Sequence, residues 1–144
     1  MKIISKSLKD TENIAKDFVK KLSLHVHDDA LVVGLYGDLG SGKTTFTQDV
    51  AKIFNIQEDI TSPTFVIEKM YDIDHTDFKR LIHIDAYRLN SAKELTTLNW
   101  QGIANDPKNI ILIEWPERVV EILPKNHIKI NFTFLSENER EIEI

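Results

Sequence analysis

Residues 37–44 read Gly-Asp-Leu-Gly-Ser-Gly-Lys-Thr, a complete match to the phosphate-loop pattern G-x-x-x-x-G-K-[ST]. The string starts directly after LVVGLY at 31–36, an apolar run with no polar alternation. Such a run predicts a strand buried on both faces, as parallel strands covered by helices are. The residues after the string, Lys43 to about Phe54, predict a helix with Phe46, Val50 and Ile53 on its inner stripe. A strand feeding a glycine loop and then a helix commits the chain to α/β architecture. Four of its five glycines, Gly34, Gly37, Gly40 and Gly42, fall within this stretch. Glycine costs entropy on ordering, so its concentration at one place marks a need for backbone access there.

The chemistry follows from the spacing. Glycines let successive backbone N–H groups turn inward around phosphates, and the following helix aims its amides and positive dipole end at them. Lys43 reaches the β- and γ-phosphates, and the Thr44 hydroxyl takes a Mg²⁺ position. A second acid on the metal side is expected at the end of a neighbouring strand. Residues 110–114, Ile-Ile-Leu-Ile-Glu, supply it: four apolar residues and then Glu114. A buried strand ending there points its carboxylate into the crevice above the sheet. Asp85 closes another strand and either holds Mg²⁺ through water, orients the attacking water, or is a polar strand end making a turn. Arg88 either stabilises phosphate charge or pairs with a surface acid. His83, on the same strand face as Asp85, reads as a core histidine. Thr61, Ser62, Pro63 and Thr64 read either as small-hydroxyl sensors of phosphate or metal, or as a loop with proline at a strand entrance. No Asn-Lys-x-Asp string is present to read guanine, which favours ATP.

The remaining elements complete the same architecture. Residues 2–6 predict a short strand. Asp10 or Thr11 caps a helix to about Leu22, with Ile14, Phe18 and Leu22 inward and Lys16, Asp17 and Lys20 outward. Strands are expected at 64–71 and 80–85 around the acidic loop 72–77. Ser91 and Glu94 form a capping-box pattern opening a helix. His127 to Leu135 and Arg140 to Ile144 alternate, which predicts an antiparallel hairpin with one wet face. The sum is a three-layer α/β sheet, parallel at its core with antiparallel additions, helices on both faces, and one domain over 1–144.

Composition excludes other classes. The chain has 18 basic and 23 acidic residues, a net charge of −5, which disfavours autonomous grip on bare nucleic acid. No apolar run reaches the length of a membrane span. The start at residues 1–6 lacks the apolar core of a secretory signal. The absence of cysteine removes disulfides, thiolate metal sites and a thiol nucleophile, and fits the cytoplasm. Asp72, Asp74 and Thr76 begin like a calcium loop, but Asp77 stands where glycine is needed and His83 where glutamate is needed. His25 and His27 have no further ligands nearby in sequence.

Four strings together carry a resemblance: GDLGSGKTTF at 37–46, SPTF at 62–65, HIDAYRL at 83–89 and LIEWPERV at 112–119. In this order the chain resembles the TsaE (YjeE) family, bacterial ATPases needed for threonylcarbamoyladenosine (t6A) at position 37 of tRNAs reading ANN codons. The resemblance implies a small P-loop NTPase-like domain with a mixed sheet. It implies that Gly37, Asp38, Leu39, Gly40, Ser41, Gly42, Lys43, Thr44 and Thr45 cradle the nucleotide, with Trp115 beside them. It implies that Thr44 and Glu114 bind Mg²⁺, that Asp85 acts with Lys43 in catalysis, and that Ser62 and Thr64 lie in a switch-like segment. Expected partners are TsaD and TsaB, with tRNA met only through that complex and no membrane. Two other readings of a phosphate loop remain: a small-molecule kinase with Asp85 as base, and a nucleotide-sensing adaptor that does not need hydrolysis.

Overall fold

The computed structural model describes residues 1–22, 28–60 and 67–144. Seven strands form one mixed sheet in the order β1-β7-β6-β2-β5-β4-β3. The strands are β1 Lys2–Ser5, β2 Leu31–Tyr36, β3 Glu68–Asp72, β4 Arg80–Asp85, β5 Asn109–Glu114, β6 Ile128–Phe134 and β7 Arg140–Glu143. The four central strands β6, β2, β5 and β4 run parallel. Antiparallel partners flank them: β3 on β4 at one side, β7 on β6 and β1 on β7 at the other.

The expected layering is present. Strands β2 and β5 are buried almost throughout, so each feeds both faces of the sheet. On one face Val33, Leu35, Leu81, Leu112 and Phe132 pack with Ile14, Phe18, Phe46 and Val50 of helices α1 (Leu8–Leu22) and α2 (Lys43–Ile53). On the other face Val32, Ile82, Ile84, Ile111 and Ile113 meet Leu95, Trp100, Ile103 and Val119. Those four come from α3 (Lys93–Thr96), α4 (Trp100–Ala104) and a 3-10 segment, Pro116–Ile122. Phe46 has no exposed surface and touches the rings of both Phe18 and Phe132, at centroid distances of 5.7 and 5.5 Å. It therefore ties both helices to β6.

Local rules account for the differences from expectation. The N-cap of α1 is Ser7, not Asp10 or Thr11. Ser7 Oγ accepts the Asp10 N–H at 3.1 Å, and the Asp10 carboxylate returns to the Lys6 N–H at 2.9 Å. This is a capping box with its return bond shifted from Ser7 to Lys6, and it lies one turn earlier than the apolar stripe suggests. At residue 94 only half of such a box forms: Glu94 Oε2 accepts the Ser91 N–H at 3.5 Å as well as the Asn90 N–H at 2.7 Å, and no side-chain cap closes the other half. Strand β3 starts at Glu68, and the expected residues 64–66 lie outside the described residues. The β6–β7 hairpin forms as expected, with Ile130, Phe132 and Ile142 inward. Strand β1 forms within the expected residues 2–6, but its place beside β7 was not legible, because Lys2 pairs with Glu143 from the far end of the sequence.

Candidate functional site

The carboxyl ends of the parallel strands gather the chemistry-bearing residues. The loop after β2 holds Gly37 at φ 145°, Gly40 at 77° and Gly42 at 108°, conformations that side chains disfavour. At Gly37 a Cβ would also stand 2.5 Å from the Phe132 carbonyl oxygen. The loop turns tightly, with the Ser41 N–H donating to Asp38 O at 3.1 Å. The Lys43 ammonium folds back over it, donating to the Gly37 carbonyl and to Asp38 O at 2.9 Å. It also stands 4.3 Å from the centre of the Trp115 ring. Burial holds the Lys43 ammonium below the ordinary lysine range, opposed by Glu114, Glu117, Asp38 and Asp85.

Glu114 sits where the sequence placed it, at the end of β5 and only 3% exposed. Its two oxygens have different partners. Thr44 Oγ1 donates to Oε1 at 2.9 Å, and His83 Nε2 lies 2.7 Å from Oε2. Asp85, at the end of β4, is the register partner of Glu114 on the adjacent strand. Its Oδ1 accepts the Tyr87 N–H at 3.0 Å, turning the chain sharply away from the strand. Trp115, immediately after Glu114, takes a left-handed backbone at φ 59°. That conformation is costly for a bulky residue and marks a constrained site. Its ring meets Tyr87 at 5.0 Å, and the Arg118 guanidinium stands 5.4 Å from the Tyr87 ring.

These groups line one cleft of about 380 Å³. Residues Leu39 to Thr45, Asp85, Glu114 and Trp115 all border it, while Gly37 and Asp38 contribute the carbonyls under Lys43. Ser62, Thr64 and the pair His25 and His27 lie outside the described residues. Arg88 also lines the cleft. Helix α4 belongs to the opposite layer, through Trp100 and Ile103.

The far half of the cleft was not foreseen as a unit. Ser5 approaches from the end of β1, Ser7, Leu8 and Thr11 from the start of α1, and Phe132, Glu137, Asn138, Arg140 and Ile142 from the last hairpin. Arg140 is the notable omission. Its Nη1 donates to the carbonyls of Ser136 and Glu137, both at 3.2 Å. Its Cδ would lie 3.2 Å from a Cβ on Gly42. Nothing in the sequence ties position 140 to position 42; only the β6–β7 turn brings them together. His83 was also assigned to the core. It is fully buried, as expected, yet its partner is the site's own carboxylate.

The donor set suits a hard cation shared with a phosphate. A hydroxyl and a carboxylate stand side by side, both oxygen ligands, and Mg²⁺ is commonly held by one or two protein groups plus substrate oxygens. Ser41 Oγ, in the same loop and close to Gly37, is buried without a protein partner among the described residues.

The sequence matches the family model described as "Threonylcarbamoyl adenosine biosynthesis protein TsaE" over residues 5–142. The chain belongs to the TsaE family. Among its relatives, the tRNA threonylcarbamoyladenosine biosynthesis protein TsaE of Rickettsia typhi is 35% identical over 135 residues, 93% of this chain and 87% of that protein. The protein of the same description from Treponema pallidum is 33% identical over 144 residues, 100% of this chain and 99% of that one. The crystal structure of Bacillus subtilis YdiB is similar at a TM-score of 0.70 and 30% identity, covering 99% of this chain and 82% of that one. In this TsaE-family chain no described helix is long and apolar enough to cross a membrane.

Proposed function

We propose that this protein binds ATP with Mg²⁺ and hydrolyses it slowly to ADP and phosphate, as the partner of TsaB and TsaD in t6A formation on tRNA. The observation that carries the reading is the 2.9 Å hydrogen bond between Thr44 and Glu114, which joins the phosphate loop to the acid 70 residues away. In this reading Thr44 and Glu114 hold the Mg²⁺, which supplies positive charge to the phosphate oxygens. The loop amides and Lys43 bind the same oxygens, so Lys43 exchanges its carbonyl partners for phosphate. Asp85, next to Glu114 in register and bordering the same cleft, orients the water. The nucleoside lies along the half of the cleft bordered by Leu8, Thr11 and Arg140. The printed descriptions of the relatives support the pathway, and the net charge of −5 supports contact with tRNA through partners rather than directly.

Two measurements test this. Lys43→Ala and Glu114→Ala are each expected to abolish phosphate release in a mixture reconstituted with TsaB and TsaD; wild-type turnover by either variant refutes the assignment. Capture of TsaB–TsaD on the immobilised protein is expected to depend on ATP and Mg²⁺. A phosphorylated metabolite would instead indicate a kinase, and undiminished multiple turnovers with a non-hydrolysable analogue an adaptor.

A further inference from the structure

Between Arg80 and Asp85 at its ends, strand β4 carries one polar side chain in a run of apolar ones. Leu81, Ile82, His83 and Ile84 all have no exposed surface, and His83 alone among them brings nitrogen into the sheet. Burying an imidazole costs stability unless both nitrogens are satisfied. Here Nδ1 has no partner among the described residues, while Nε2 lies 2.7 Å from Glu114 Oε2. An apolar residue would fill that core position without an orphan atom. The position is set by register: His83 stands opposite Leu112, diagonal to Glu114, which is itself opposite Asp85. A long side chain reaches such a diagonal neighbour on the same face.

We propose that His83 is a positioning residue: it fixes the Glu114 carboxylate in the rotamer that presents Oε1 to Thr44 and so to the metal. The inference rests on the Mg²⁺ role assigned to Glu114 above. His83 donates from Nε2–H, and the lone pair at Nδ1 faces the core. The carboxylate is then held at one oxygen by His83 and at the other by Thr44, and cannot rotate away from Thr44. Groups that bond to a metal ligand from behind commonly contribute about 10–100-fold to metal affinity.

The test measures affinity for a non-hydrolysable ATP analogue calorimetrically, with excess Mg²⁺ and with EDTA. In the wild type Mg²⁺ is expected to tighten binding. His83→Leu is expected to lose about tenfold or more of that Mg²⁺-dependent gain while its affinity in EDTA stays unchanged. His83→Gln, whose amide nitrogen stands near the place of Nε2, is expected to recover the gain. A His83→Leu variant with the full Mg²⁺ gain overturns the proposal, as does an equal loss in EDTA or a failure of His83→Gln to rescue. A wild type indifferent to Mg²⁺ overturns the underlying site assignment as well. Long-range ¹H–¹⁵N spectra of the wild type read the tautomer without any variant: Nε2–H is expected, and a proton on Nδ1 with none on Nε2 overturns the proposal.

Discussion

Individual residues show how tightly the loop is specified. Gly42 combines a left-handed backbone with an Arg140 side chain where its Cβ would go. Gly42→Ala is expected to cost about 1–3 kcal/mol of stability through the backbone alone. It should also displace Arg140, weakening nucleotide affinity, which titration calorimetry would register; unchanged melting and affinity would contradict this. At this scale the sequence was most informative where chemistry demands a local spacing. The glycines, Lys43, Thr44 and Glu114 were legible because the phosphate-loop pattern and a strand-terminal acid are each contained in a few residues. Arg140 and His83 were not, because their partners lie 98 and 31 positions away and depend on register.

Among elements, helices α1 and α2 carry the clearest consequence. Asp49 of α2 is only 6% exposed, and its Oδ2 has no partner among the described residues. Burial raises its carboxyl above the ordinary aspartate value of 3.8, with Lys52, at 3.9 Å, opposing. The folded state therefore holds the proton more tightly than the unfolded chain does. The associated stability is full below pH 3.8 and is lost as pH rises through the higher folded value. Asp49→Asn is thus expected to stabilise the protein by about 1 kcal/mol at pH 7. That gain should shrink as the pH falls toward 3.8, which thermal melts across a pH series would follow. A gain independent of pH would refute it. The start of α1 gives a second case. Ser7→Ala removes the cap and is expected to cost about 1 kcal/mol, read from urea midpoints. The apolar periodicity located this helix but not its first turn, since the capping box lies ahead of the inward stripe.

For the whole molecule, the two layers differ in what they hold. The face covered by α1 and α2 also carries Glu114, His83 and Leu112, so its packing fixes the loop above it. Phe46→Ala, two residues after Thr44, is expected to cost about 3–5 kcal/mol and to loosen both helices. Denaturant unfolding followed by circular dichroism would show it; a loss below about 1 kcal/mol would mean the three rings are not coupled. The parallel centre of the sheet was readable from apolar runs, which name buried strands. The order of its outer strands was not, because β1 joins β7 only after the entire chain has returned.

That return has a consequence for biosynthesis. The Met1 amino group donates to Ile144 O at 2.6 Å, and Ile144 N–H donates to Met1 O at 3.1 Å. Ser7 and Arg140, from opposite ends of the polypeptide, border the same crevice. A nascent chain from which residues 135–144 have yet to emerge can fold α2 and its glycine turn, but it cannot build this wall. Competence to hold a ligand then arrives only with β7, so a translation intermediate stalled before residue 135 should be structured yet unable to retain nucleotide.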